Sequence, residues 1–359
     1  MSRHKVHAGI LTLAAALLTS CGTPGVPLPP SLELAKPVSD LRAVRKGDKV
    51  YLAWTVPAQT TDRQNIRHLG LTSVCRSLDP AMPVCGTLAG EVSPSQVAPP
   101  PPKKDDTKAQ GGFVDTLPEA LEEQNPAASI TYGISVMNAN GRSAGFSNRV
   151  QVPTAPTLPP PPDFKAQLRS GGVTLTWSAV PEPESSSLSH FYRAYRREEG
   201  SATETEVGVA PITASSLTDQ SFEWEKTYNY RMSVVTSISR NSGSSQVEGD
   251  DTPVLQIVAH DVFPPVVPSG LQAVASGVGQ SPFIDLIWAP NTDTDLAGYN
   301  IYRHEEGAAP VKINAESVSA PAYRDSGVVA GKKYFYSVSA VDLRGNESAK
   351  SDEASETMP

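Results

Sequence analysis

The chain has 359 residues, 39% hydrophobic and 6% aromatic, too much apolar material for a disordered polymer and enough for several separate cores. Its 33 prolines exclude a mostly helical chain, because each one removes a backbone donor and fixes φ, so an all-β, multi-domain chain is predicted. The formal charge of −8 argues against a nucleic-acid binder, which needs a basic face.

Arg3 and Lys5 precede the apolar run Ala8 to Leu18, which is too short to cross a hydrocarbon core of about 30 Å. The pattern predicts a signal peptide over residues 1–20. It closes on Leu18-Thr19-Ser20-Cys21-Gly22, which resembles the lipobox of bacterial lipoproteins. That resemblance implies cleavage before Cys21, acylation of Cys21 with palmitate-type chains, and a lipid-anchored protein of the bacterial cell envelope, at the outer membrane. Three acyl chains would hold it far more firmly than one. Residues 21–37, with a Pro-Leu-Pro-Pro run, are read as a spacer.

Three tryptophans then mark an internal repeat. Val50-Tyr51-Leu52-Ala53-Trp54, Val173-Thr174-Leu175-Thr176-Trp177 and Ile284-Asp285-Leu286-Ile287-Trp288 each alternate as half-buried strands do. Their spacing is that of one small β-sandwich per copy. Domains are predicted at 38–153, 159–260 and 266–358, joined by the proline clusters Pro153 to Pro162 and Phe263 to Pro268, short connectors that hold domains apart. In the first copy, Cys75 and Cys85 are ten residues apart. In a chain bound for an oxidising compartment a disulfide is the economical reading, with two free buried thiols as the alternative. Ala98 to Gly112 reads as a long proline-rich exposed loop, and Leu117 to Gln124 after it as a short helical turn.

The second and third copies agree further along. Tyr192-Arg193-Ala194-Tyr195-Arg196 matches Tyr299-Asn300-Ile301-Tyr302-Arg303, and Tyr228-Asn229-Tyr230 matches Tyr334-Phe335-Tyr336, each nine residues after Asp219 or Asp325. The first copy has Ile130-Thr131-Tyr132 after Asp115. These residues resemble fibronectin type III domains. The resemblance implies three tandem immunoglobulin-like sandwiches with Trp54, Trp177 and Trp288 as core tryptophans. It makes Tyr228 and Tyr334 tyrosine corners, whose hydroxyls bond to backbone a few residues upstream. Ile130 stands at the corner position of the first copy, without a hydroxyl.

The sequence carries few groups placed for chemistry. His68, His190, His260 and His304 stand beside no nucleophile elbow or metal-ligand pair, so no catalytic residue, metal or cofactor is assigned and the chain is read as a non-enzyme. Asn291 to Asp295 lacks the glycine and distal acid of a calcium loop and reads as a polar loop. Strand alternation turns Tyr302, His304 and Phe335 outward on one face of the third domain. Such aromatics either shield the sheet as cross-strand pairs or form a binding face. In the second domain Tyr195 is read as lying opposite Asn229. The expected function is a lipid-anchored envelope scaffold for protein interaction or adhesion, its membrane contact made through the lipid and its protein or glycan partner unidentified. A carbohydrate-binding accessory is the alternative.

Overall fold

The computed structural model describes residues 32–96, 109–183, 188–240 and 243–359. Cys21, the leader and most of the proline-rich loop lie outside the described residues. The chain is nearly all β, arranged in several sheets. It forms two compact units. Of the described residues, the first holds those within 32–44, 51–115 and 129–152, and the second those within 45–50, 116–128 and 153–359.

In the first unit, strand Leu69–Ser77 pairs antiparallel with Thr87–Val92 and with Ser129–Asn138. Gln110 to Gly112, read as the end of a loop, instead open strand Gln110–Thr116. A Cβ on Gly111 would lie 2.4 Å from the Trp54 indole. The glycine is what lets the strand run flat against that ring.

The second unit holds both other repeats. Leu188–Glu198, Thr205–Pro211, Thr227–Arg240, Gly243–Asp251 and Leu255–Val258 belong to one sheet, and Lys165–Arg169, Gly172–Thr176 and Ser216–Asp219 to another. Alternation puts Val173, Leu175 and Trp177 inside, with Tyr192, Tyr230 and Val234 from the facing sheet. The next repeat has the same plan. Ser269–Ala275, Ile284–Ala289 and Ala322–Asp325 form one sheet, and Leu296–Glu305, Val311–Lys312, Lys333–Asp342 and Ala354–Thr357 the other. Trp177 meets Tyr192 edge-on at 5.0 Å, and Trp288 meets Tyr299 at 5.1 Å, a geometry that aligns ring edge with ring face. The buried hydroxyls of Tyr192 and Tyr299 accept the backbone N–H groups of Val180 and Asn291, each at 2.8 Å.

All three repeats share a buried acid. The Asp115 carboxylate receives Arg76 Nη1 at 2.5 Å and the Tyr132 hydroxyl at 2.7 Å. Asp219 receives Arg196 at 2.6 Å and Tyr230 at 2.9 Å. Asp325 receives Arg303 at 2.8 Å and Tyr336 at 2.9 Å. Burial by itself would push the Asp219 carboxyl up, but bonds from Ser221, Tyr230 and Arg196 hold it below the usual range. Burial, together with the neighbouring carboxylate, drives the Tyr132, Tyr230 and Tyr336 hydroxyls well above the ordinary phenol range.

The Tyr228 hydroxyl accepts the Glu223 N–H at 3.1 Å, and that of Tyr334 accepts the Val329 N–H at 3.0 Å. In the first repeat Ile130 is buried and offers no such acceptor. Its longer preceding segment, within the second unit, forms helix Glu119–Gln124, where Glu122 pairs with Arg45 at 2.8 Å. Replacing Tyr334 with Phe strands the Val329 N–H and is expected to cost about 1 to 3 kcal/mol. Urea-dependent hydrogen exchange on peptides from 333–342 measures it, and a parent-like profile would exclude a stabilising role for that hydroxyl.

Candidate functional site

The outward faces of the tyrosine-led strands differ between repeats. In the first unit the Cys75–Cys85 disulfide, with Cα atoms 5.3 Å apart, holds a loop over this face. Cys75 pairs in register with Gly133, and a Cβ on Gly133 would lie 2.7 Å from Met82 Cε. Met82 is buried, and Arg149 donates to its carbonyl at 2.9 Å. The cross-link therefore seats Met82 on Gly133 and closes the face.

In the second unit, the equivalent face of the second repeat is an ionic network. Glu248 accepts from Lys46 Nζ at 2.7 Å, from Arg193 at 2.9 Å and from the Tyr195 hydroxyl. Burial raises the carboxyl, and the bonds from Lys46, Tyr195 and Arg193 reverse this, leaving it at about 2. Tyr195 is pushed up to about 12 by burial and by the Glu248 bond. The register corrects the expected pairing: Tyr195 stands opposite Arg231, and Asn229 opposite Arg197. The Arg231 guanidinium lies 4.1 Å over the Tyr195 ring and pairs with both Asp251 and Glu204.

On the third repeat, Tyr302, His304 and Phe335 are half-buried on one face. His304 pairs in register with Phe335, and the rings stack at 5.0 Å with 16° between planes. The Tyr302 hydroxyl donates to Glu347 at 2.5 Å, and His304 Nε2 lies 2.9 Å from Glu353. That bond to Glu353 raises the imidazole pKa. Lys350 Nζ sits 4.1 Å from the Tyr302 ring centre and Lys333 Nζ 4.9 Å from that of Phe335. Tyr302 and Phe335 thus each carry a cation.

Within the second unit, the connector expected to hold domains apart is bound to the third repeat. Arg344 reaches Glu225 and Asp261, each at 3.3 Å, with its guanidinium 5.9 Å over Trp224. Asn346 donates to the Asp261 carbonyl at 3.1 Å, and Asn291 to the Val266 carbonyl at 2.5 Å. Phe263 packs near Trp224 at 6.1 Å. These contacts tie residues 261–266 down. No strand pattern flags them, because their residues come from a turn, a loop and the connector.

No family model matches the chain. Exoglucanase B of Cellulomonas fimi is 32% identical over 206 residues, 55% of this chain and 16% of that protein. Amylopullulanase of Thermoanaerobacterium saccharolyticum is 42% identical over 92 residues, 25% of this chain and 7% of that protein. The chain therefore spans only a small part of the curated relatives it matches. Among solved structures, the FN1–FN3 domains of chicken CNTN1 are 15% identical, with 90% of this chain and 99% of that chain covered at a TM-score of 0.27. A Fn3-like protein from Clostridium thermocellum is 34% identical, with 27% and 96% covered at a TM-score of 0.23. The fold class is all-β, built of repeated pairs of facing sheets.

The Glu248 shift fixes a pH dependence. A carboxyl at about 2 when folded and near its ordinary value of about 4.3 when unfolded stabilises the fold above the higher value, and that stability is lost as pH falls through the lower one. Glu248→Gln is expected to lower the denaturation midpoint at neutral pH and to converge with the parent near pH 2. Equal midpoints at neutral pH would contradict the network's contribution.

Proposed function

We propose that the chain is a non-catalytic, lipid-anchored protein of the bacterial cell envelope whose tandem sandwiches form a scaffold for protein interaction or adhesion. The observation that carries this reading is the Tyr302, His304 and Phe335 face. Its rings lie beside Lys350 and Lys333 and its polar tips bond to Glu347 and Glu353. A surface of alternating charge over aromatic ground suits a polar protein partner. It leaves less bare ring for a sugar to stack on. Anchoring through Cys21 would place that face on a tethered molecule. The second reading, a carbohydrate-binding accessory, is favoured by relatives named as an exoglucanase and an amylopullulanase.

The test is made in intact cells, with a photo-crosslinking residue in place of Lys350. The expected result is a discrete protein adduct in the membrane fraction that disappears with Tyr302→Ala, and a Cys21→Ser protein that is released or left as a precursor. An adduct unaffected by Tyr302→Ala would overturn the face. Normal processing and membrane retention of Cys21→Ser would overturn the anchor.

A further inference from the structure

The first unit contains a cleft of about 620 Å³ that none of the faces above includes. Its walls are the segment from Lys36 to Asp40, the segment from Thr55 to Gln59, and Asn65. Backbone bonds fix them: the Lys36 N–H donates to the Gln59 carbonyl at 3.0 Å, and the Thr61 N–H to the Leu34 carbonyl at 2.9 Å. The turn beyond is closed by Thr60, whose N–H bonds the Gln64 carbonyl at 2.8 Å while its hydroxyl accepts the Gln64 N–H at 3.0 Å. The cleft is therefore preformed, and its volume falls in the range of small-ligand sites, about 300 to 1,000 Å³.

Its lining has a definite chemistry. Pro37, Val38, Val56 and Pro57 supply C–H surface. Among the described residues, the side chains of Lys36, Ser39, Gln59 and Asn65 make no hydrogen bond within the protein, so their polar groups are open to a ligand. Asp40 is held in place, its carboxylate accepting the Thr55 N–H at 3.1 Å. One cation and one anion give the cleft no net charge to select an ionic ligand. Two amides and a hydroxyl each offer donor and acceptor together, as sugar hydroxyl groups do.

We propose that this cleft binds a short stretch of a neutral polysaccharide, with Asp40, Gln59 and Asn65 bonding ring hydroxyls and Pro37 and Pro57 beneath the ring C–H face. The proposal rests on the carbohydrate reading and moves its site away from Tyr302. Titration calorimetry of the full chain with maltohexaose and cellohexaose tests it, with melting curves confirming that each variant is folded. The side chains are exposed, so Asp40→Asn, Gln59→Ala and Asn65→Ala are expected to fold. At least one of the two oligosaccharides should bind the parent, and each variant should bind it at least tenfold more weakly. Tyr302→Ala should match the parent. Binding that survives all three variants, or that is lost with Tyr302→Ala, overturns the cleft while leaving the carbohydrate reading standing. No heat from either sugar with the parent overturns the cleft and the carbohydrate reading together.

Discussion

Each sandwich is organised around one buried carboxylate. Leaving an ion uncompensated inside a β-sandwich costs several kcal/mol, so the acid is tolerable only when its partners arrive together. Asp219 and Asp325 end strands of the smaller sheets, while Arg196 with Tyr230 and Arg303 with Tyr336 come from adjacent strands of the facing sheets. One carboxylate thereby joins the two layers at a point and sets two neighbouring strands in register. A slip by one residue would turn both partners, and every core side chain beside them, to the wrong face. The edge-on pairs of Trp177 with Tyr192 and Trp288 with Tyr299 fill the space that this registration defines.

With the interior held in common, the repeats diverge on the outward face of the same strands. A disulfide loop covers the first, and charges dominate the second. The third keeps aromatics beneath its own lysines. Position by position the changes are small. Cys75 stands where the later repeats have Tyr195 and Tyr302, and Asn300 stands where the second has Arg193. Such substitutions leave the shared aspartate, arginine and tyrosine contacts in place, so one fold can present three surfaces. The connector ahead of the third repeat is ordered by the same economy, through Arg344 and Asn346 on a loop that the fold already requires.

Much of this was legible in the sequence. Alternation identified the tryptophan strands, and the repeated tyrosines identified the strands that pair with them. The alignment of Arg196 with Arg303 and the placing of Asp115, Asp219 and Asp325 are both visible. Their meeting on one carboxylate is not, because it depends on how the two sheets face each other. Gln110 to Gly112 read as a loop because glycine signals a turn, whereas Gly111 serves close packing against Trp54. Tyr195 reads as lying opposite Asn229 because alignment between repeats does not give the register of two strands that are not consecutive in the chain, which their pairing around Asp219 sets. The Arg344 contacts and the Lys36 to Asn65 cleft join segments that carry no periodic signal.

The buried carboxylate holds the two layers together. Hydrogen exchange on the full chain carrying Asp325→Asn tests it directly, because amides of Ile284–Ala289, Leu296–Glu305 and Lys333–Asp342 report on both sheets. Removing the charge leaves Arg303 uncompensated, and protection is expected to fall by about 3 kcal/mol in all three strands at once. Unchanged protection, or a loss confined to the ends of Ala322–Asp325, would contradict the account.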